Sequence, residues 1–162
     1  MSDPTIAWTH TPTARGRHPS RKRSRAEAMG LLARAPLFRD LPKAQLRKVA
    51  DVSGVRHARA GEQLVKEGVA GNVFFVIVDG QVKVIKGRRT LQRLGPGDFV
   101  GEMSILTGAL RSASVVAETP VECLTLSSTD LRALLRREPS IALKMLECVA
   151  ERLVELDRSL TS

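Results

Sequence analysis

The 162-residue sequence predicts a mainly β fold, a jelly roll, sandwich or barrel of short strands with helices at both ends. Between residues 52 and 127, Val-rich runs alternate with glycine turns at a spacing near ten residues. On either side of that stretch, apolar residues recur at helical spacing. Aromatic residues make up only 3% of the chain against 43% apolar, so one sizeable core must be built from Val, Leu, Ile and Ala.

Residues 1–25 are rich in Pro, Thr, Ser and Arg, lack periodicity, and are expected to form a disordered basic arm. The arm holds six basic side chains, Arg15 to Arg25, against Asp3. The remaining 137 residues hold 20 basic and 16 acidic groups, so over half of the net +9 sits in the arm. Such an arm can neutralise phosphates without reading a base, which makes it the one expected route to nucleic acid. No aromatic residue is interleaved with its charges to stack a base.

A single domain is expected over residues 26–160. Helices come first, over about 26–51: Leu31, Leu32, Ala35, Phe38 and Leu41 are interrupted by Pro36. A second helix has Pro42 in its first turn and carries Leu46, Val49 and Ala50. The β-roll follows, with strands expected at 52–58, 62–65, 72–78, 81–85, 89–94, 114–117 and 122–126. Asp79-Gly80 between two of these runs reads as a hairpin turn, because both residues accept positive φ. C-terminal helices occupy about 128–160. Ser128 or Thr129 is the expected cap of a helix carrying Leu131, Leu134 and Leu135. Glu138-Pro139 breaks it. The last helix shows Leu146, Val149, Leu153, Leu156 and Leu160 in steps of three and four, a short heptad seam that can dimerise.

Residues 95–117 carry the chemistry. A short helix starting near Gly101 would aim free N–H groups at an anion, and Gly101 lets the backbone come close. Arg111 supplies a permanently charged planar fork for phosphate oxygens, and Ser112 adds a small hydroxyl. Glu102 would repel a phosphate, so its natural partner is a sugar hydroxyl. The structural alternative for the two charged residues is a plain Glu102–Arg111 salt bridge. Together they fit a cradle for an anionic, sugar-bearing small molecule.

The run Phe99-Val100-Gly101-Glu102-Met103-Ser104-Ile105-Leu106, followed by Arg111-Ser112-Ala113, resembles the phosphate-binding cassette of cyclic-nucleotide-binding domains. That family includes kinase regulatory subunits, nucleotide-gated channels and the catabolite activator protein. Ala60-Gly61-Glu62, Glu67-Gly68 and the run from Phe74 to Val82 are similar to its early strands. The resemblance spans roughly residues 36–156. It implies a jelly-roll β-barrel closed by a C-terminal lid helix, with cAMP, or alternatively cGMP, as ligand and no other cofactor. It implies that Glu102 holds the ribose 2′-hydroxyl and Arg111 the cyclic phosphate. Phe99, Met103, Ser104, Ser112, Ala113 and the backbone amides from Gly101 to Ser104 complete the cradle. Val84, Leu91 and Val100 match positions lining the base pocket. The activator's last helix offers a polar residue to the adenine; here Leu156 stands there, so Leu156 or Leu153 is expected to cover the ring. Ser112 in place of Thr leans towards cAMP.

Other classes find no support. Cys123 and Cys148 are 25 residues apart without a paired motif, as in a reducing compartment, and a cytoplasmic location is expected. No apolar run approaches the ~18–20 residues of a bilayer span. His10, His18 and His57 have no metal-ligand spacing, and no nucleophile triad is visible, so an enzyme is not expected. No helix-turn-helix follows the last helix, which favours a stand-alone receptor module acting on an unidentified protein effector. A ligand-free dimerisation module is the structural alternative.

Overall fold

The computed structural model describes residues 25–161. The basic arm lies outside them except for Arg25, which opens helix α1 (Arg25–Arg34) and pairs with Asp51 at 2.7 Å. Helix α2 (Lys43–Val52) follows Pro42 and buries Leu46, Val49 and Ala50. Val52 closes this helix instead of opening a strand.

Eight strands follow: β1 (Gly54–Ala58), β2 (Gln63–Val65), β3 (Val73–Asp79), β4 (Val82–Lys86), β5 (Arg89–Leu94), β6 (Phe99–Val100), β7 (Ser114–Ala117) and β8 (Val121–Ser127). Helix α3 (Glu102–Thr107) interrupts them, and α4 (Ser128–Arg137) and α5 (Pro139–Thr161) end the chain. One antiparallel sheet has the order β1-β8-β3-β6 and the other β2-β7-β4-β5. Among the described residues no ladder joins the two sheets, so the jelly roll is a pair of open sheets and not a closed barrel.

Strand β3 holds two cores apart. Phe74, Val76 and Val78 face a helix-covered core with Leu32, Phe38, Val49 and Leu131. Phe75 and Ile77 face the space between the sheets, with Val82, Val115 and Cys123. A strand buried on both faces needs an unbroken apolar run, and β3 provides one from Val73 to Val78. Burial pushes the Cys123 thiol up to about 12, so this cysteine is a small apolar core residue at neutral pH.

The Asp79-Gly80 turn is not a hairpin. Gly80 has φ +90°, as expected, but β3 and β4 belong to different sheets. The turn is a corner between layers: a side chain at Gly80 would strike the Pro120 carbonyl. Gln81 instead donates its N–H to Thr119 Oγ1. The tight hairpin lies later, at Gly87 (φ +60°) between β4 and β5.

Helix α4 is capped one residue earlier than expected. Ser127 Oγ accepts the Asp130 N–H at 3.1 Å, because β8 runs directly into the helix. Arg132 of α4 donates to the Ile105 carbonyl and so ties α3 to the C-terminal helices. Of the seam on α5, Leu146, Leu153 and Leu160 stand 64%, 68% and 77% exposed, so the body does not cover that face.

Candidate functional site

The site is built on the turn from β6 into α3. Gly101 caps α3 with φ +93°, a conformation that favours glycine. A β-carbon there would also fall 2.7 Å from the Val73 carbonyl and 2.8 Å from Arg111 Nη1.

Arg111 is 8% exposed and points inward. Its Nη1 donates to the Gly101 carbonyl at 2.9 Å and to Ser104 Oγ at 2.7 Å, and its Nη2 donates to the Val73 carbonyl at 2.7 Å. Those three bonds use three of the five guanidinium N–H groups. Burial lowers the Arg111 pKa from its ordinary value, and the charge of Glu102 works against that. The side chain remains a cation at any physiological pH.

Glu102 is 6% exposed. Its carboxylate does not bridge to Arg111 but to Arg152 of α5, at 3.3 Å. Arg152 also donates to the Phe99 carbonyl at 2.8 Å, and its guanidinium lies 4.5 Å from the centre of the Phe99 ring. Burial raises the Glu102 pKa above the ordinary 4.5; its own backbone N–H and the charges of Arg152 and Arg111 hold it back.

A cavity of about 270 Å³ opens between these groups. Gly101, Glu102, Met103, Ser104, Arg111, Ser112 and Ala113 line one side, with Glu102, Ser104, Arg111 and Ser112 its polar side chains, and Val84, Leu91 and Val100 form an apolar wall. Leu153 and Leu156 of α5 stand at its edge. One expected residue is absent. Phe99 is 2% exposed and its ring packs on Phe74, with centroids 5.6 Å apart, so it supports the site from beneath. The volume is close to the lower end, about 300 Å³, of small-molecule pockets.

A family model described as "Cyclic nucleotide-binding domain" matches residues 55–138, just over half of the chain. The chain belongs to this family. The matched domains of this family are regulatory and are not themselves catalytic. The chain is 38% identical over 112 residues to a cyclic nucleotide-gated potassium channel of Mesorhizobium japonicum, an alignment covering 69% of this chain and 31% of the channel. It is 34% identical over 131 residues to the cyclic AMP receptor protein of Thermus thermophilus, covering 78% of this chain and 61% of that one. The fold superposes on the solved structure of Sp-2Cl-cAMPS bound to PKAR CBD2 with a TM-score of 0.70 and 26% identity, covering 82% and 91% of the two chains. The chain thus spans about a third of the channel and under two thirds of the receptor.

The cavity walls from Val100 to Ser104 and from Arg111 to Ala113 were legible in the sequence, but others were not. Lys86, Gln92 and Leu94 come from β4 and β5, Val65 from β2, and Val149 and Arg152 from α5. Arg152 matters most among them. Its sequence signal was weak: an arginine one residue before Leu153 on a helix already read as a lid. Among the described residues there is no cluster of side chains able to hold a metal ion, and no helix is long and apolar enough to cross a membrane.

Proposed function

We propose that this domain is a receptor for a cyclic nucleotide, cAMP ahead of cGMP, and that binding is transmitted through α5. The observation that carries the reading is the pairing of opposite charges on one small cavity. A buried cation lines the same cavity as a buried carboxylate, beside an apolar wall suited to a purine. Arg111 and Ser112 would hold the phosphate, Glu102 the ribose hydroxyl, and Val84, Leu91 and Val100 one face of the base. The small Ser112 hydroxyl supports cAMP as the first candidate. Calorimetric titration with both nucleotides tests this: one site per chain and tighter binding of cAMP are expected, and silence with both would remove the reading.

Protonation of Glu102 would remove its capacity to accept a ribose hydroxyl. Because its pKa is raised, affinity is expected to fall on acidification in a window displaced upward from the ordinary 4.5. Above that window affinity is level. Glu102→Gln should bind more weakly at neutral pH and lose this pH step. An identical acid step in the variant would assign the titration elsewhere.

Coupling to α5 rests on Arg152. Its ion pair with Glu102 and its bond to the Phe99 carbonyl fasten the helix to the cassette. A ribose that takes Glu102 competes with that fastening, so ligand and helix position become linked. Without ligand, Arg152→Ala should lower the local opening free energy of α5 by about 1–3 kcal/mol. Hydrogen exchange across residues 149–160 reads this directly, and unchanged protection would disconnect the helix from the site.

The freed helix needs somewhere to act. The exposed Leu146, Leu153 and Leu160 support a contact with a protein effector or a second copy of the chain. Sedimentation with and without cAMP separates a ligand-dependent contact from a permanent one.

A further inference from the structure

We propose that Gly71 is a positioning residue for Arg111, and that the loop before β3 is what aims the phosphate-binding cation. The inference rests on the reading of Arg111 given above. Arg111 is gripped by this loop along its whole length. Gly68 donates its N–H to the Arg111 carbonyl at 2.8 Å, and Arg111 donates its own N–H to the Val69 carbonyl at 2.9 Å. The guanidinium then reaches the Val73 carbonyl at 2.7 Å. Between those anchor points the side chain passes directly over Gly71.

Gly71 differs from the glycines of the turns. Gly61, Gly68, Gly80, Gly87, Gly97, Gly101 and Gly108 have positive φ, and Gly71 does not. Its backbone conformation is open to any L-residue, so the requirement for glycine is one of space. A β-carbon at Gly71 would lie 2.5 Å from Arg111 Nη2 and closer still to Nε and Cζ, where real Cβ contacts essentially never fall below 3.0 Å. Arg111 cannot swing aside cheaply. It is buried and makes three hydrogen bonds to fixed acceptors. The loop cannot retreat cheaply either, because the Asn72 carbonyl accepts the Ser128 N–H at 2.8 Å at the start of α4. Even alanine at 71 would therefore push the guanidinium out of the cradle while leaving every ligand-facing side chain in the sequence.

A double-mutant cycle tests the assignment. Gly71→Ala, Arg111→Ala and the double variant would be compared with wild type by calorimetry with cAMP and by thermal unfolding without ligand. In the wild-type background Gly71→Ala should weaken cAMP on the order of 10- to 100-fold and lower the unfolding midpoint. In the Arg111→Ala background both effects should vanish, because the atoms in the way are gone. If Gly71→Ala alone does not fold, a folded double variant gives the same support. Wild-type affinity in Gly71→Ala, a midpoint loss undiminished by removing Arg111, or failure of both variants to fold would overturn the proposal. A wild-type chain that binds no cAMP would defeat the functional reading, and the thermal arm would still decide the packing.

Discussion

Arg111→Ala is expected to weaken cAMP by about 2–4 kcal/mol, a factor of roughly 30 to 1,000 in affinity. The loss has two sources. The ligand phosphate would lose the one buried cation among the described residues. The cradle would also lose its brace, because the Gly101 and Val73 carbonyls and Ser104 Oγ all lean on the same guanidinium. Stranded acceptors of that kind cost about 1–3 kcal/mol each when water cannot reach them, so the unfolding midpoint should fall as well. Arg111→Lys separates the two sources. Lysine keeps the charge but is a point donor that cannot serve acceptors on two sides and a phosphate at once. It should recover part of the affinity and little of the stability. Calorimetry and thermal unfolding on the same samples give both numbers, and equal affinity in wild type and Arg111→Ala would remove the site.

Phe99→Ala is expected to cost about 3–5 kcal/mol of stability. The ring is 2% exposed, packs on Phe74 in the helix-side core, and has the Arg152 guanidinium 4.5 Å from its centre. Removing it opens a cavity beneath the cassette and takes away the surface on which the α5 arginine rests. The effect should therefore appear twice: as a lower denaturant midpoint for the whole domain, and as faster exchange at the Arg152 end of α5. Phe99→Leu, which keeps most of the volume, should recover most of the stability and retain cAMP affinity, since Phe99 does not line the cavity. A Leu variant as stable as wild type but unable to bind cAMP would return Phe99 to the ligand site.

The two halves of the site differ in how they are written in the chain. The cassette is local: Gly101, Glu102, Ser104 and Arg111 lie within eleven residues, and the proposed phosphate and sugar chemistry accounts for their types. The same holds for the β3 run and for the glycine turns, where period and backbone conformation leave a direct trace. Arg152 is distant in sequence, and nothing about an arginine on an amphipathic helix says which carboxylate it will meet. The alternative of a Glu102–Arg111 bridge therefore gives way to a pairing with a third residue, Arg152. Strand β6 escaped because two residues carry no period, and Phe99 was misplaced because the cassette motif says nothing about which of its side chains turn to the core. Gly80 shows a subtler limit. Positive φ fixed the turn, but whether the chain folds back or crosses to another layer depends on Pro120 and Thr119, forty residues away in sequence.

A structure of the chain with cAMP bound would test the central claim most directly. It is expected to show the cyclic phosphate within hydrogen-bonding distance of the Arg111 guanidinium and the 2′-hydroxyl on the Glu102 carboxylate, with Arg152 released from that carboxylate and α5 moved. A nucleotide seated elsewhere, or one bound in this cavity with the Glu102–Arg152 pair intact, would contradict it.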